Sequence, residues 1–79
     1  MQKIDFTLRG EFITLDKLLK ATGVVPSGAQ AKLLIAEGKV QVDGREELRK
    51  TAKLRAGQVV GVTGTRIRLQ PPDAEPGAE

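Results

Sequence analysis

The 79-residue sequence contains no cysteine, histidine, tryptophan or tyrosine, and only two phenylalanines. The missing cysteines exclude a disulfide framework, and without histidine the usual ligands of a zinc site are also absent. The two side chains that most often act as nucleophile or acid–base catalyst near neutral pH are therefore lacking. The scarcity of aromatic rings argues against a platform that stacks single-stranded bases, since Phe6 is predicted to face the core.

Long hydrophobic runs are also absent, and no stretch approaches the roughly 18 apolar residues that span a bilayer. The N-terminal sequence MQKIDFTLRG lacks the apolar segment of a signal peptide, so we expect a cytoplasmic protein. The acidic residues show no acid–base spacing, and the glycines fit neither the P-loop nor the dinucleotide-binding pattern. We therefore predict that the protein is not an enzyme and that it has no cofactor and no metal site.

Charge is unevenly distributed along the chain. Thirteen Lys and Arg against seven acids give residues 1–70 a net charge of +6, whereas residues 71–79, PPDAEPGAE, carry three acids and no base. This composition predicts one domain over residues 1–70 followed by a disordered acidic tail over residues 71–79. A basic body favours a polyanionic partner, either nucleic acid or an anionic membrane, although a merely solvated surface is the alternative.

Hydrophobic periodicity predicts an α+β fold of two short helices packed on a small, mostly antiparallel sheet. Helices are predicted near residues 14–22 and 27–37, and strands near residues 3–8, 39–42, 58–62 and 65–69. Asp43-Gly44 and Thr63-Gly64 each predict a tight hairpin turn. The residues expected to be buried together are Leu18, Leu34, Ile35 and Val42.

The stretch SGAQAKLLIAEGKVQVDG, residues 27–44, joins the second helix directly to the first hairpin. Ser27 is the predicted N-cap, Gln30 completes a capping-box pattern, and Gly38 suits the left-handed position after the helix. Free backbone amides beside Ser27, together with lysines and arginines, favour contacts to phosphates and sugars rather than to base edges.

The run LDKLLKATGVVPSGAQAKLLIAEGKVQVDG, residues 15–44, resembles the signature of the S-four RNA-binding domain, a family named for ribosomal small-subunit protein four. The family pattern has Arg-Leu-Asp, a leucine-bearing helix, Ser-Arg, a helix with Ala and Leu-Ile, Gly, and then Val-x-Val-Asn-Gly. Within the family, the sequence is most similar to the small stand-alone bacterial members of the YbcJ type. The resemblance covers residues 14 to about 62. It implies a compact module that docks its two helices and hairpin on structured RNA, without an attached enzyme. Ribosomal RNA is our candidate target.

The residue-by-residue match to the family is incomplete. The matching positions are Ser27, Lys32, Lys39 and Gly44. Thr14 and Gly28 stand where the pattern has arginine, and Asp43 stands where it has asparagine. Each missing guanidinium removes a charge-assisted contact typically worth about 1.5–3 kcal/mol. We expect cations after the hairpin turn to replace these contacts.

The sequence thus predicts a monomeric RNA-binding module, with a protein-interaction adaptor that uses its sheet edge or hairpin as the alternative. The predicted RNA-binding residues are Ser27, Gly28, Gln30, Lys32, Lys39, Asp43, Gly44, Arg45, Arg49, Lys50, Lys53 and Arg55. Five of these cations are expected to converge on one surface: Lys32, Lys39, Arg45, Arg49 and Lys50. Arg66 and Arg68, outside the stretch that resembles the family, are expected to matter less.

Overall fold

The computed structural model describes residues 2–72. In this part of the chain the strands are β1 (Gln2–Thr7), β2 (Ile13–Thr14), β3 (Val40–Val42), β4 (Arg45–Glu46), β5 (Lys53–Leu54), β6 (Val59–Val62) and β7 (Thr65–Gln70). The helices are α1 (Leu15–Ala21) and α2 (Gly28–Ala36). The predicted helices and the four predicted strands are confirmed, with ends that differ by one or two residues. The predicted acidic tail lies outside the described residues from position 73 onward.

The main sheet has the strand order β1-β7-β6-β3-β4. β1 pairs with β7 in parallel, whereas the other neighbours are antiparallel, so the predicted mostly antiparallel sheet is confirmed. Cross-strand partners share a face, and Ile4, Ile67 and Val60 are aligned in one apolar row. The opposite face presents Lys3 beside Arg66 and is mainly polar. We call the surface formed by Lys3, Gln41, Gly61, Arg66 and Arg68 the open sheet face.

Two features of the topology were not predicted. β2 and β5 form a separate ribbon in which Ile13 pairs with Leu54 and Thr14 with Lys53. Strands of two residues are too short to show an alternating pattern. The parallel pairing of β1 with β7 joins segments about 60 residues apart, and local periodicity carries no information about such a partner.

Both predicted hairpin turns have the expected backbone. Asp43 and Gly44 have φ of 54° and 82°, and Thr63 and Gly64 have φ of 40° and 77°. Positive φ at both central residues is the property of a type I′ turn, whose twist matches that of the paired strands. Gly38, between α2 and β3, has φ of 76°, and a Cβ there would collide with the Glu46 carboxylate. The positive φ therefore favours glycine where the helix meets the hairpin, whereas the exposed Glu46 side chain can move away from a Cβ.

The core is shared between the two helices and the apolar side of the sheet. Its buried residues are Leu8, Leu15, Leu18, Leu19, Val25, Ala31, Ile35, Val40, Leu54, Val60, Val62, Ile67 and Leu69. The predicted burial of Leu18 and Ile35 is confirmed, and Leu34 and Val42 pack against the same core but are only half-buried at its margin. Val42 lies near the sheet edge, where only the two-residue β4 follows β3, and it borders an open cleft.

Candidate nucleic-acid interface

The start of α1 is fixed by the loop before β5. Thr14 is the N-cap residue, but its hydroxyl makes no capping bond and is buried without a partner in the described part of the chain. Instead, the Leu15 amide donates to the Ala52 carbonyl and the Asp16 amide to the Lys50 carbonyl, both at 3.0 Å. The first amides of a helix have no partner within the helix, so these bonds stabilise it and also fix Lys50 beside α1.

The start of α2 follows the prediction more closely. The Ser27 hydroxyl accepts a hydrogen bond from the Gln30 amide at 3.4 Å, which confirms the predicted cap. The amides of Gly28 and Ala29 lie in the first turn and have no acceptor within the helix. A Cβ added at Gly28 would meet nothing within 4 Å, so this end of the helix is open to a close approach.

Two lysines that are distant in sequence lie side by side. Lys32 on α2 and Lys50 in the loop are both exposed. The pKa of Lys50 is lowered from its ordinary value, first because the Lys32 side chain can donate a hydrogen bond to the neutral Lys50 amine, then by repulsion from the Lys32 charge and by a small loss of hydration. Asp16 acts in the opposite direction. We call Lys32 and Lys50 the lysine pair. Because the effect of Lys32 outweighs that of Asp16, a phosphate oxygen beside both ammonium groups would stabilise their charged forms.

The other cations expected to converge with the lysine pair are placed differently. Lys39 forms an ion pair with Glu37 at 3.5 Å and lines a groove with Gln41, Gly61 and Arg66, on the open sheet face. Lys39 thus shares a groove with Arg66, while its convergence with Lys32 on one binding surface stays a prediction. Arg45 lies on the edge strand β4 opposite Val42.

Arg49 and Lys53 border one open cleft of about 310 Å³ on the loop side of the molecule. The Arg49 Nε lies 3.5 Å from a carboxylate oxygen of Glu47, and its side chain is highly exposed. Exposed ion pairs contribute little to stability, so this contact leaves the guanidinium available to a phosphate. The cleft thus joins the loop that carries Lys50 to the strand that carries Lys53.

Asp43, predicted as a binding residue, has a role within the protein. Its carboxylate accepts hydrogen bonds from the Val59 amide at 3.0 Å and from the Gln58 side-chain amide at 3.3 Å. The other end of the Gln58 side chain accepts from the Arg55 amide at 2.7 Å. The turn at Asp43 and Gly44 is therefore connected to the end of β5. The importance of Gln58 has no local sequence signal, since its two partners lie on different elements.

An exposed aromatic side chain lies on the β2–β5 ribbon. Phe12 is 42% exposed, and the Lys53 Nζ and the Arg55 Cζ lie 5.0 and 5.9 Å from its ring centroid. Both distances are in the range of cation–π interactions. The sequence indicated the two cations but gave Phe12 no functional role, because the ribbon that brings them together was not predicted.

Two other classes of site are not indicated by the described residues. Residues 2–72 contain no group of three acidic, histidine or cysteine side chains positioned to hold a metal ion. Neither α1 nor α2 has the length and apolar character needed to cross a membrane.

Comparison with known proteins gives one family. The model of the S4 domain matches residues 6–70. YbcJ of Escherichia coli strain K12 is 49% identical over 57 residues, which cover 72% of this chain and 81% of YbcJ. RlbA of Bacillus subtilis strain 168, named a probable ribosome maturation protein, is 39% identical over 54 residues, which cover 68% of this chain and 76% of RlbA.

One solved structure and one tRNA ligase are also similar to this chain. The solution structure of Escherichia coli YbcJ, described as having a motif involved in RNA binding, has a TM-score of 0.62 and 41% identity, covering 89% of this chain and 87% of that one. The tyrosine–tRNA ligase of Burkholderia thailandensis is 38% identical over 60 residues, which cover 76% of this chain but 14% of the ligase. The similarity to the ligase is therefore confined to a small part of that enzyme.

Proposed function

This chain belongs to the S4 domain family, and we propose that it is a monomeric, non-catalytic module that docks on structured RNA in the cytoplasm. The docking surface consists of the lysine pair, the open start of α2 and the cations along the loop and β5. Ribosomal RNA is the first candidate target, since RlbA is named a probable ribosome maturation protein. A fragment of precursor ribosomal RNA is therefore a suitable ligand for the first binding experiments.

The proposal depends mainly on the position of Lys50, whose carbonyl accepts a hydrogen bond from the Asp16 amide at 3.0 Å and whose pKa is lowered by the Lys32 side chain. Placing two ammonium groups together has an electrostatic cost in the free protein, and a bound phosphate would offset it. The free amides of Gly28 and Ala29 belong to the same helix as Lys32, and amides at a helix start favour anions. These groups fix the protein on a sugar-phosphate backbone without reading base edges.

The absence of two family arginines is consistent with this arrangement. Gly28 has no side chain, so the amides can approach a phosphate directly, whereas an arginine there would contact it through its guanidinium. Lys50 lies in a loop bonded to α1, and further cations follow it along the chain. The positive charge that the family pattern places at residues 14 and 28 is therefore supplied by another part of the chain. We infer that the position of the phosphate contacts has shifted while the docking surface is retained.

A salt titration of RNA binding tests the proposal. Probes are a blunt-ended hairpin RNA and a fragment of ribosomal RNA, with binding measured from 50 to 300 mM potassium chloride. If about four phosphates are neutralised, log affinity falls against log salt with a slope of roughly −3, at about 0.7–0.9 for each contact. A slope near zero, or no binding at low salt, would contradict phosphate-led docking and favour the adaptor alternative.

The target itself is identified by crosslinking in cells and sequencing of the attached RNA. Enrichment of ribosomal RNA, with crosslinks in paired or junction regions, is the expected result. Crosslinks spread evenly over messenger RNA would contradict the ribosomal target while leaving RNA binding intact. Size-exclusion chromatography with light scattering checks the proposed monomeric state.

A further inference from the structure

The β2–β5 ribbon has one buried side and one exposed side. Ile13 and Leu54 pair across the ribbon and pack toward the core, with Leu54 fully buried. Phe12 precedes Ile13, and Lys53 and Arg55 flank Leu54, so alternation places these three on the other side. The short distances from both cations to the Phe12 ring agree with this placement.

Exposure alone does not distinguish Phe12 from other apolar residues on the surface. Leu33 and Leu48 are 54% and 58% exposed, and single exposed apolar residues are common. Phe12 differs because it has a π-face and two cations beside it. An aromatic face combined with adjacent positive charge is the combination with which proteins bind unpaired nucleotides: the ring stacks on the base and the cations contact the phosphates.

We propose that Phe12 is a stacking site for an unpaired RNA base next to the paired region bound at the lysine pair. This rests on the proposed function and makes the target more specific: a structured RNA with a single-stranded overhang, bulge or junction. The Lys53 and Arg55 side chains move from the ring to the phosphates that flank the stacked base. Their present contact with the ring is weak at an exposed site, so its loss costs little.

The distance between the two sites sets the length of the unpaired segment. The Asp16 amide bonds to the Lys50 carbonyl at one end of this region, and Phe12 lies four residues before Asp16. Four residues span at most about 13 Å of extended chain, which is an upper limit on this backbone separation. Four stacked nucleotides at 3.4 Å each have roughly this length. A four-nucleotide overhang at the lysine pair is therefore long enough to test for contact with the Phe12 ring.

The test compares a blunt hairpin RNA with two versions of the same hairpin, which carry a four-nucleotide single-stranded overhang on the 5′ or the 3′ end. The fluorescent base 2-aminopurine replaces each overhang position in turn. The full chain is expected to bind one overhang hairpin about tenfold or more tightly than the blunt one, with quenching of 2-aminopurine at one position. Phe12→Leu should abolish this preference and the quenching, and leave affinity for the blunt hairpin unchanged. Phe12→Tyr, which keeps the ring, should retain both.

Leu48→Ala is the matched control, since Leu48 is exposed but has no ring, and it should behave as wild type. Circular dichroism verifies that each variant is folded. The inference is overturned if the overhang gives no tighter binding, or if Phe12→Leu keeps the preference. A different result would contradict the proposed function: either the blunt hairpin would not bind, or the double variant Lys32→Gln with Lys50→Gln would bind it as tightly as wild type. Overhang binding that depends on Phe12 without binding of the blunt hairpin would support the stacking site alone.

Discussion

The lysine pair and the open sheet face are both basic, but their charges are arranged by different physical causes. On the open sheet face, regular pairing sets Lys3 opposite Arg66 and Asp5 opposite Arg68, so a carboxylate lies among the cations. At the lysine pair, a helix and a loop bring two ammonium groups together, and the Lys32 side chain lowers the pKa of Lys50 despite the opposite effect of Asp16. The number of cations on a surface therefore does not locate a phosphate site. Repelling cations next to free backbone donors are better evidence.

The largest expected difference between the two regions is in RNA affinity. Lys32→Gln with Lys50→Gln should weaken binding of a structured RNA by about 3 kcal/mol, roughly a hundredfold, at about 1.5 kcal/mol for each charge-assisted contact. The slope of log affinity against log salt should decrease by about 1.5 units. The matched variant, Arg66→Gln with Arg68→Gln, removes the same charge from the open sheet face.

This matched variant should change affinity less than threefold, and the melting temperature of both variants should stay close to wild type. A larger loss from the Arg66 and Arg68 variant would reverse the comparison and place the RNA on the open sheet face. The groove lined by Lys39, Gly61 and Arg66 would then be the first region to examine.

The sequence predicted the elements of this fold better than the location of its site. The capped α2, the two type I′ turns and four strands follow from local patterns of a few residues. Lys32 and Lys50 are predicted to share one surface, but their contact does not follow from local patterns, because it depends on bonds from the Asp16 and Leu15 amides to carbonyls more than 30 residues later. The groove that Lys39 shares with Gly61 and Arg66 likewise depends on the pairing of β3 with β6, which local periodicity cannot predict.

The position of Lys32 also depends on how α2 packs, and this gives a second prediction. Leu34→Ala should destabilise the fold by about 2 kcal/mol, at the low end for removal of a leucine from a core, because Leu34 is half-buried at the margin. Leu33→Ala is the control on the exposed side of the same helix and should cost less than about 0.5 kcal/mol. Urea unfolding measures both. Equal costs would mean that α2 is rotated and that Lys32 does not face Lys50.

A third substitution separates the helix start from the charges. Gly28→Ala should stabilise the protein by about 0.5–1 kcal/mol, because alanine is the better helix former and its methyl group meets no neighbour. The same methyl group should weaken RNA binding about threefold if a phosphate lies against the Gly28 and Ala29 amides. Thermal unfolding and RNA titration on one preparation show whether stability and affinity change in opposite directions. Unchanged affinity would confine the phosphate contact to the lysine side chains.

The smallest expected effect is on proton binding at the lysine pair. Since Lys32 lowers the pKa of Lys50 in the folded protein, the unfolded chain retains this proton to higher pH. Between the lowered pKa and the ordinary lysine value of about 10.4, stability should therefore rise with pH. RNA affinity should fall in the same window, because the phosphate binds the ammonium form. Titration of the Lys50 ¹³Cε resonance measures the shift directly.

Lys32→Gln should raise the pKa of Lys50. Binding of a 2′-O-methyl RNA hairpin, which withstands alkaline solution, should raise it as well. An Arg66→Gln variant should leave the Lys50 titration unchanged, and an equal response would show that the lowered pKa reflects the overall charge of the protein rather than the adjacent lysine.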